Sequence, residues 1–193
     1  MCVILNIIIY FFNPNISKKE EYEYRLNEEK RLISLMEFKN PVTIVESDYN
    51  PKEFFEAVKG LENEPEGGRR CFKCYRLRLE ETAKLAAEKG FDYFTTTLSI
   101  SPHKNAQVLN RIGQELAGET GVPFLPSDFK KRDGYKKSIE LSREYCLYRQ
   151  NYCGCEFSSR PEETDAATQV MTAVVSKSIA EGSGQGKAGS YET

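Results

Sequence analysis

Two pairs of cysteines are the residues of this chain best suited to chemistry. Cys71 and Cys74 form a C-x-x-C motif in the segment RRCFKCYRLRLE, which carries five basic residues before its first acid. Positions three apart share one face of a helix, so both sulfurs can reach one bound group. Such a pair binds a metal or cluster, forms a thioredoxin-like redox motif, or is simply buried, and the motif alone leaves these alternatives open.

The surroundings of the C-x-x-C motif favour ionised thiols. The motif lies at the predicted start of a helix, where backbone N–H groups and the positive helix end stabilise negative charge. Three basic side chains act in the same direction: Arg69, Arg70 and Lys73. Gly67 and Gly68 lie just upstream and let the backbone bend close to a bound group. We therefore expect these thiols to ionise readily.

The second pair consists of Cys153 and Cys155, separated only by Gly154. This spacing holds the two Cα atoms about as far apart as a disulfide permits. A disulfide in so short a ring is expected to be strained, and strained disulfides are the readily reduced, catalytic kind. C-G-C therefore predicts a redox pair that opens and closes, with zinc binding as the alternative. The stretch between Cys74 and Cys153 far exceeds zinc-ribbon spacing, so a shared site requires tertiary folding.

Three single residues are weaker candidates. His103 is the only histidine, which excludes an all-histidine zinc site, and we interpret it as a surface residue. Cys146 lies in a predicted helix and is interpreted as a packing residue. Asp128 follows a predicted strand at the edge where α/β proteins gather their sites, and a helix-entry cap is the equal alternative.

Alternating strands and helices must position these residues. The apolar run 3–12 predicts a buried parallel strand, and Ser17 with Glu20 predicts a capping box for a helix over residues 18–38. Further strands are predicted at 42–45, 91–97 and 122–125. Further helices are predicted at 51–58, 70–89, 102–120 and 133–149. The alternation predicts one α/β domain with a parallel sheet over residues 1–159, followed by a disordered tail at 160–193.

Composition limits the class of protein. The chain has 193 residues, of which 39% are hydrophobic, and a net charge of −2. No apolar run reaches the ~20 residues that cross a bilayer. Six cysteines in a reducing compartment more often bind metal or do redox chemistry than form structural disulfides. We therefore expect a soluble, cytoplasmic protein with no membrane partner.

Basic side chains lie beside both cysteine pairs. One group precedes C-x-x-C, and the other leads into the helix before C-G-C, where tyrosines alternate with lysines and arginines. This pattern is typical of RNA binding, in which bases stack on rings and phosphates meet cations. A solvated helix with half-buried tyrosines is the alternative.

Three segments resemble the QueH-type epoxyqueuosine reductases: YFFNPNI, EPEGGRRCFKCYRLRLEETAKLAAEKGFDYFTTTLSISPHKN and FLPSDFKKRDGYKKSIELSREYCLYRQNYCGCEFS. The resemblance covers nearly all of residues 3–159. It implies a Rossmann-like parallel sheet flanked by helices, and reduction of epoxyqueuosine to queuosine at the tRNA wobble position. It also implies a 4Fe-4S cluster with Cys71 and Cys74 among its ligands. Cys153 and Cys155 would form a redox-active disulfide, and Asp128 would lie near an additional iron.

The resemblance also implies the partners of the chain. The substrate would be tRNA carrying epoxyqueuosine, and the electron donor is of unknown identity. Five basic residues are candidates for the tRNA backbone: Arg69, Arg70, Lys130, Lys131 and Arg132. Such contacts would weaken steeply with salt.

The chain departs from the family pattern at its start. Family members begin with a further strand, a Cys-Cys-Ala-Pro-Cys motif that provides the other cluster ligands, and a helix. This chain begins after that motif, so we expect the first strand and helix to be missing. Cys2, Cys153 or Cys155 could replace the missing ligands only where the fold brings them near. The alternatives are a zinc-stabilised RNA-binding protein without catalysis, a general thiol–disulfide oxidoreductase and an inactive fragment.

Overall fold

The computed structural model describes residues 6–158, which form a mixed α/β fold with five helices and a parallel sheet. In chain order the elements are β1 (Ile7–Phe11), α1 (Lys19–Leu35), β2 (Val42–Glu46), α2 (Lys52–Ala57), α3 (Arg69–Lys89), α4 (Ala106–Thr120) and α5 (Gly134–Glu144). Short 3₁₀ helices lie at Thr97–Ile100 and Glu156–Ser158. The predicted α/β class is confirmed. Cys2, the start of the predicted first strand and the predicted tail lie outside the described residues.

The sheet positions the start of the candidate site. β1 and β2 are parallel, with Ile7 opposite Val42 and Phe11 opposite Glu46. The carboxyl end of β1 is its buried end, because Phe11 packs edge-on against Tyr22 of α1 with ring centroids 5.1 Å apart. The loop that follows β1 therefore leaves the sheet from a fixed, buried position.

The largest core lies between α3 and α4. Leu79 of α3 and Leu109 of α4 are almost completely buried in it. A side chain at Gly113 would meet the Phe124 ring at 2.6 Å, so glycine is what lets α4 pack on that ring. This core anchors α3, and with it the C-x-x-C motif, through packing against α4.

The strands predicted at 91–97 and 122–125 are wrong in extent. They are reduced to a single parallel bridge between Phe94 and Phe124. Pro123 has no N–H to donate to a longer ladder. On the other side, the Thr96 side chain accepts a hydrogen bond from the Leu98 N–H and starts a 3₁₀ helix. Each of these features ends the pairing locally.

Helix boundaries also differ from the predictions. α4 begins at Ala106 because the Asn105 side chain accepts hydrogen bonds from the backbone N–H groups of Gln107 and Val108. α5 ends at Glu144, and Cys146 follows with a φ of +50°. Cys146 is exposed, so its interpretation as a packing residue is wrong. Within residues 6–158, none of the helices is long and apolar enough to cross a membrane.

Candidate active site

The C-x-x-C motif lies in the first turns of α3. Cys71 is buried, Cys74 is half-buried, and both thiols are free. Gly67 has a φ of +85°, and its N–H donates to the Cys71 sulfur at 3.2 Å. The glycines before α3 thus bend the backbone onto a cysteine, which is the close approach that glycine permits.

Arg70 holds the loop that precedes α3. It is only 2% exposed, and its guanidinium donates to the carbonyl oxygens of Leu61, Glu62 and Glu64. The same group stacks over the Phe157 ring at 4.8 Å. The prediction that Arg70 contacts the tRNA backbone is therefore corrected, because the side chain is buried and its Nη1 group is hydrogen-bonded to the loop.

Cys153 and Cys155 lie in a loop after α5, and their sulfurs are 3.4 Å apart. Ser158, which is buried, places its hydroxyl oxygen 2.9 Å from the Cys153 sulfur and 3.4 Å from the Cys155 sulfur. The same oxygen lies 3.1 Å from the Cys155 carbonyl oxygen, so its single proton can be donated either to that carbonyl or to the Cys153 sulfur. Sequence reasoning missed Ser158. The only sign of Ser158 in the sequence was a serine about one helical turn after Cys155.

The C-G-C loop, defined as residues 152–156, is held by side chains from the start of the chain. The Asn15 amide donates to the Cys153 carbonyl oxygen at 3.0 Å. The Arg25 guanidinium donates to the same oxygen at 3.1 Å and to the Tyr152 carbonyl oxygen at 3.2 Å. Glu21 orients Arg25 through an ion pair of 2.7 Å. Charged donors thus fix the backbone of this loop.

Ser17 completes this attachment. Its N–H donates to the Gly154 carbonyl oxygen at 3.1 Å, and its hydroxyl accepts the Glu156 N–H at 2.9 Å. The predicted capping box is therefore wrong: the N-cap of α1 is Lys18, without a side-chain cap. Gly154 has a φ of +102°, and a side chain there would meet Ile16 at 2.8 Å. Glycine is required at this position for both reasons.

The fold brings the two cysteine pairs together. Cys74 packs in the same cluster as Cys153 and Cys155, around Phe54 of α2. Charge on Cys153 would act on Cys74, and charge on Cys74 would act on Cys155. The two pairs therefore form one site, assembled by tertiary folding.

The thiols of this site differ in acidity. Burial raises the pKa of Cys74 to about 12, although nearby Arg78 opposes the shift. For Cys74 the expectation of ready ionisation is wrong, because burial outweighs the helix end and the basic residues. A hydrogen bond from the Cys155 thiol lowers the pKa of Cys153 to about 5, against its burial and with help from Ser158. The same bond raises the pKa of Cys155, so the pair shares one proton.

Lys104 brings positive charge to both pairs. It lowers the pKa of Cys74 and of Cys153, although it is not the main cause in either case. Its side chain is 11% exposed and forms an ion pair with Glu66 at 3.4 Å. Sequence reasoning did not single out Lys104, because its loop approaches the cysteines only in the folded chain.

A buried phenol without an acceptor lies at the same site. Tyr75 is 2% exposed and packs in one cluster with Cys71. Within residues 6–158 the hydroxyl has no hydrogen-bond partner, although the nearby Asn105 N–H acts to lower its pKa. Burial first, then the charges of Cys71 and Cys74, raise the pKa of Tyr75. It is therefore a hydrogen-bond donor at neutral pH.

Arg69 begins α3, and the other predicted site residues, Asp128, Lys130, Lys131 and Arg132, lie around a turn before α5. Asp128 pairs with Lys130 at 3.0 Å and with Lys131 at 3.5 Å, and these lysines lower the pKa of its carboxyl. Lys130 also donates to the Lys104 carbonyl oxygen at 3.3 Å, which connects this turn to the cysteine site. Lys131 and Arg132 are exposed. His103 is exposed, as expected.

The donor set matches part of what an iron–sulfur cluster requires. Clusters are held by cysteine thiolates, normally four. Cys71 and Cys74 supply two on one face of α3. Within residues 6–158, no three His, Cys, Asp or Glu side chains form a metal-binding group. Cys71 and Cys74 therefore fit as two of the cluster ligands, and the described residues do not complete the set.

The chain is similar to known proteins over most of its length. A family model described as Epoxyqueuosine reductase QueH matches residues 3–161. Curated relatives with that same description share 45% identity over 162 residues in Streptococcus pyogenes serotype M1, 42% over 164 in Staphylococcus epidermidis and 36% over 152 in Thermotoga maritima. These matches cover 83%, 83% and 77% of this chain, and 64%, 69% and 77% of the relatives. The chain thus spans less than two thirds of the Streptococcus relative.

Proposed function

We propose that this chain, which belongs to the QueH family of epoxyqueuosine reductases, reduces epoxyqueuosine to queuosine in tRNA. The observation that carries the proposal is that Cys74 of the C-x-x-C motif packs in one cluster with both cysteines of the C-G-C pair. Removing the epoxide oxygen leaves an alkene and water, and consumes two electrons and two protons. Closing a disulfide between two thiols releases the same two electrons and two protons, so one pair balances one turnover.

The C-G-C pair is suited to this electron transfer. Its sulfurs are 3.4 Å apart, and Ser158 contacts both. The lowered pKa of Cys153 provides a thiolate, while Cys155 keeps its proton. The closing pair then supplies two electrons and one proton, and the second proton, which Cys153 released on ionising, is taken up from solvent. Cys153 and Cys155 would thus act as the dithiol that closes, and an external electron donor would reopen it after each turnover.

Cys71 and Cys74 would hold a 4Fe-4S cluster, together with ligands beyond the described residues. When bound, the cluster supplies electrons one at a time. The chain's own contribution is to keep both thiols on one face of α3 and to direct the Gly67 N–H at the Cys71 sulfur. Asp128 would have to leave Lys130 and Lys131 before it could bind an additional iron.

The tRNA backbone would meet the exposed basic residues near α5. Lys131 and Arg132 are exposed at the turn, and α5 adds Lys136, Lys137 and Arg143, with no residue buried between Gly134 and Glu144. Tyr135 is 37% exposed and available for stacking. Lys130 lies closer to the cysteine site. Arg69 is 74% exposed but pairs with Glu64 at 2.6 Å, so a phosphate would compete with that carboxylate.

The activity is tested without oxygen, with tRNA carrying epoxyqueuosine and a chemical reductant. Mass spectrometry of the digested nucleosides measures conversion to queuosine. We expect the parent chain to convert its substrate, Cys153→Ser to lose activity, and Cys146→Ser to retain it as the matched control. Unaltered tRNA with the parent chain, or full activity of Cys153→Ser, would contradict the proposal.

The cluster is tested by reconstituting the protein with iron and sulfide in the absence of oxygen. We expect the charge-transfer absorption of an iron–sulfur centre, and its loss in Cys71→Ser. The Cys146→Ser variant again serves as control, since its thiol is exposed and distant in sequence from α3. Absorption that survives unchanged in Cys71→Ser would show that the ligand assignment is wrong.

A second candidate function is general thiol–disulfide exchange. The paired sulfurs and the lowered pKa of Cys153 favour it, because thiolates are the attacking species in exchange. Reduction of ordinary disulfide substrates, with no change in modified tRNA, would support this alternative. A zinc-stabilised RNA-binding protein would instead contain zinc, lack iron and leave the tRNA unchanged.

A further inference from the structure

The hydroxyl of Ser158 lies between two acceptors of different chemistry. Its oxygen is 2.9 Å from the Cys153 sulfur and 3.1 Å from the Cys155 carbonyl oxygen. A hydroxyl has one proton to donate, so these two acceptors compete for it. The same carbonyl also accepts the Ser158 N–H at 3.1 Å. It therefore stays hydrogen-bonded when the hydroxyl proton is directed at the sulfur.

The surroundings of the hydroxyl strengthen the bond that it makes. Ser158 is 8% exposed and Cys155 is 5% exposed, beside the apolar side chains of Phe54 and Val58. Water competes little at such a place, and hydrogen bonds there are stronger than in solvent. A bond to an ionised acceptor is roughly twice as strong as a neutral one. A Cys153 thiolate is therefore a better acceptor than the carbonyl, whereas an uncharged disulfide sulfur is a weak one.

We propose that Ser158 is a positioning residue of the C-G-C pair, whose hydroxyl donates to the Cys153 sulfur while the pair is reduced and to the Cys155 carbonyl oxygen once the disulfide has closed. The stronger of these two bonds exists only in the reduced pair. The hydroxyl therefore favours the reduced form over the disulfide, and so helps to set the potential at which the pair gives up its electrons. The inference rests on the C-G-C dithiol of the proposed function.

The test equilibrates the full chain with mixtures of reduced and oxidised glutathione, without oxygen and at neutral pH. As the pair closes, a bond forms between the Cys153 and Cys155 sulfurs, and glutathione disulfide takes up two electrons and splits into two thiols. One of the two protons comes from Cys155 and the other from solvent. Acid quenching, alkylation and mass spectrometry of the peptide that holds both cysteines measure the closed fraction. A Cys146→Ser background keeps the exposed thiol out of the exchange.

We expect Ser158→Ala to raise the equilibrium constant for closure roughly 5–10-fold, because the charged hydrogen bond is lost from the reduced pair. For a two-electron couple this corresponds to a reduction potential about 20–30 mV lower. Ser158→Thr keeps the hydroxyl and is expected to stay close to the parent. A parental constant in Ser158→Ala, or an equal rise in Ser158→Thr, would overturn the proposal.

Ser99 provides a matched control, because it is also a buried serine whose hydroxyl has two partners. Its oxygen lies 3.0 Å from the Ser127 hydroxyl and accepts the Phe129 N–H at 3.2 Å. Neither of these partners is a sulfur. We expect Ser99→Ala to lower the melting temperature and to leave the closure of the C-G-C pair unchanged. An equal rise of the closure constant in Ser99→Ala and Ser158→Ala would overturn the proposal, since contact with sulfur would then not be the cause.

The glutathione titration separates failure of this inference from failure of the proposed function. If the parent pair closes and reopens and Ser158→Ala behaves identically, only the role of Ser158 is wrong. If the parent pair stays reduced at every glutathione ratio, the proposed dithiol is wrong and the inference falls with it. The tRNA assay measures the activity independently in both cases.

Discussion

The two cysteine pairs share one site but are held there in different ways. Cys71 and Cys74 are carried by α3, whose hydrogen bonds are local and whose core with α4 lies away from the sheet. The C-G-C loop is held by Asn15 and Arg25, which lie 138 and 128 positions before Cys153. The position of the C-x-x-C pair therefore depends on α3 and its packing against α4. The position of the C-G-C pair depends on contacts between segments that are far apart in the sequence.

The largest expected effect is that of Gly154→Ala. Alanine would be forced into a φ of +102°, and its Cβ would meet Ile16 at 2.8 Å. Strain and overpacking together are expected to cost about 2–4 kcal/mol of unfolding free energy. Denaturant unfolding measures the loss. The matched control is Gly60→Ala, whose φ is +81° but whose Cβ would meet nothing within 4 Å. Equal losses of unfolding free energy in both variants would show that the contact between the Cβ at position 154 and Ile16 contributes nothing beyond backbone strain.

Arg25→Ala tests the same loop through its charged donor. The guanidinium contacts two carbonyl oxygens of the C-G-C loop and is 10% exposed. Its removal is expected to cost about 2 kcal/mol and to speed alkylation of Cys153. The control is Lys19→Ala, which removes an exposed pair with Glu23 and is expected to cost less than about 0.5 kcal/mol. Unchanged stability in Arg25→Ala would show that Asn15 and Ser17 suffice to hold the loop.

The pH dependence of alkylation should also separate the pairs. The pKa of Cys153 is lowered to about 5 from an ordinary value of 9.0. Its thiolate therefore contributes stability that is fully present above pH 9 and is lost as pH falls through about 5. The rate of Cys153 alkylation, followed by peptide mass spectrometry in a Cys146→Ser background, should fall only near that lower pH. Cys74, with a pKa of about 12, should stay unreactive at neutral pH.

Two results would contradict this prediction. One is a rate for Cys153 that falls with a midpoint near the ordinary thiol value. The other is an unchanged midpoint in Ser158→Ala, because the Ser158 hydroxyl supports the low pKa of Cys153 and its removal is expected to raise the midpoint.

The smallest expected effect is that of Arg76→Ala. Arg76 of α3 pairs with Glu115 at 2.9 Å and Glu119 at 2.7 Å, both on α4. These side chains are largely exposed, so the loss is expected to be at most about 1 kcal/mol and to shrink in high salt. The iron–sulfur absorption expected after reconstitution should not change, since the buried core holds α3. A loss well above that range would show that ion pairs, and not packing, position the helix.

Local pattern was sufficient to predict the elements that are stabilised locally. α2, α3 and β2 lie close to their predicted bounds, because apolar periodicity and adjacent glycines describe interactions within a few residues. The parallel α/β class followed from the alternation of these elements. The C-x-x-C motif was correctly placed at the start of α3 for the same reason.

Long-range contacts account for what the sequence could not predict. Ser17 was interpreted as a helix cap, but its hydroxyl bonds to Glu156 across almost the whole domain. Arg70 was interpreted as a tRNA contact, but three loop carbonyls and an aromatic ring surround its charge. Ser158 and Lys104 have no distinctive spacing. Their roles arise only when separate segments meet in the folded chain.

The bond between Ser17 and Glu156 has a consequence for synthesis on the ribosome. α3 and α4 can pack as soon as both have left the exit tunnel, so the helix-borne thiols are in place early. The carbonyl groups of the C-G-C loop reach their donors, Asn15 and Arg25, only when almost all of the described residues have emerged. Until then Cys71 and Cys74 lack their neighbours from the C-G-C loop. The nascent chain therefore passes through a stage in which only one of the two cysteine pairs is in place.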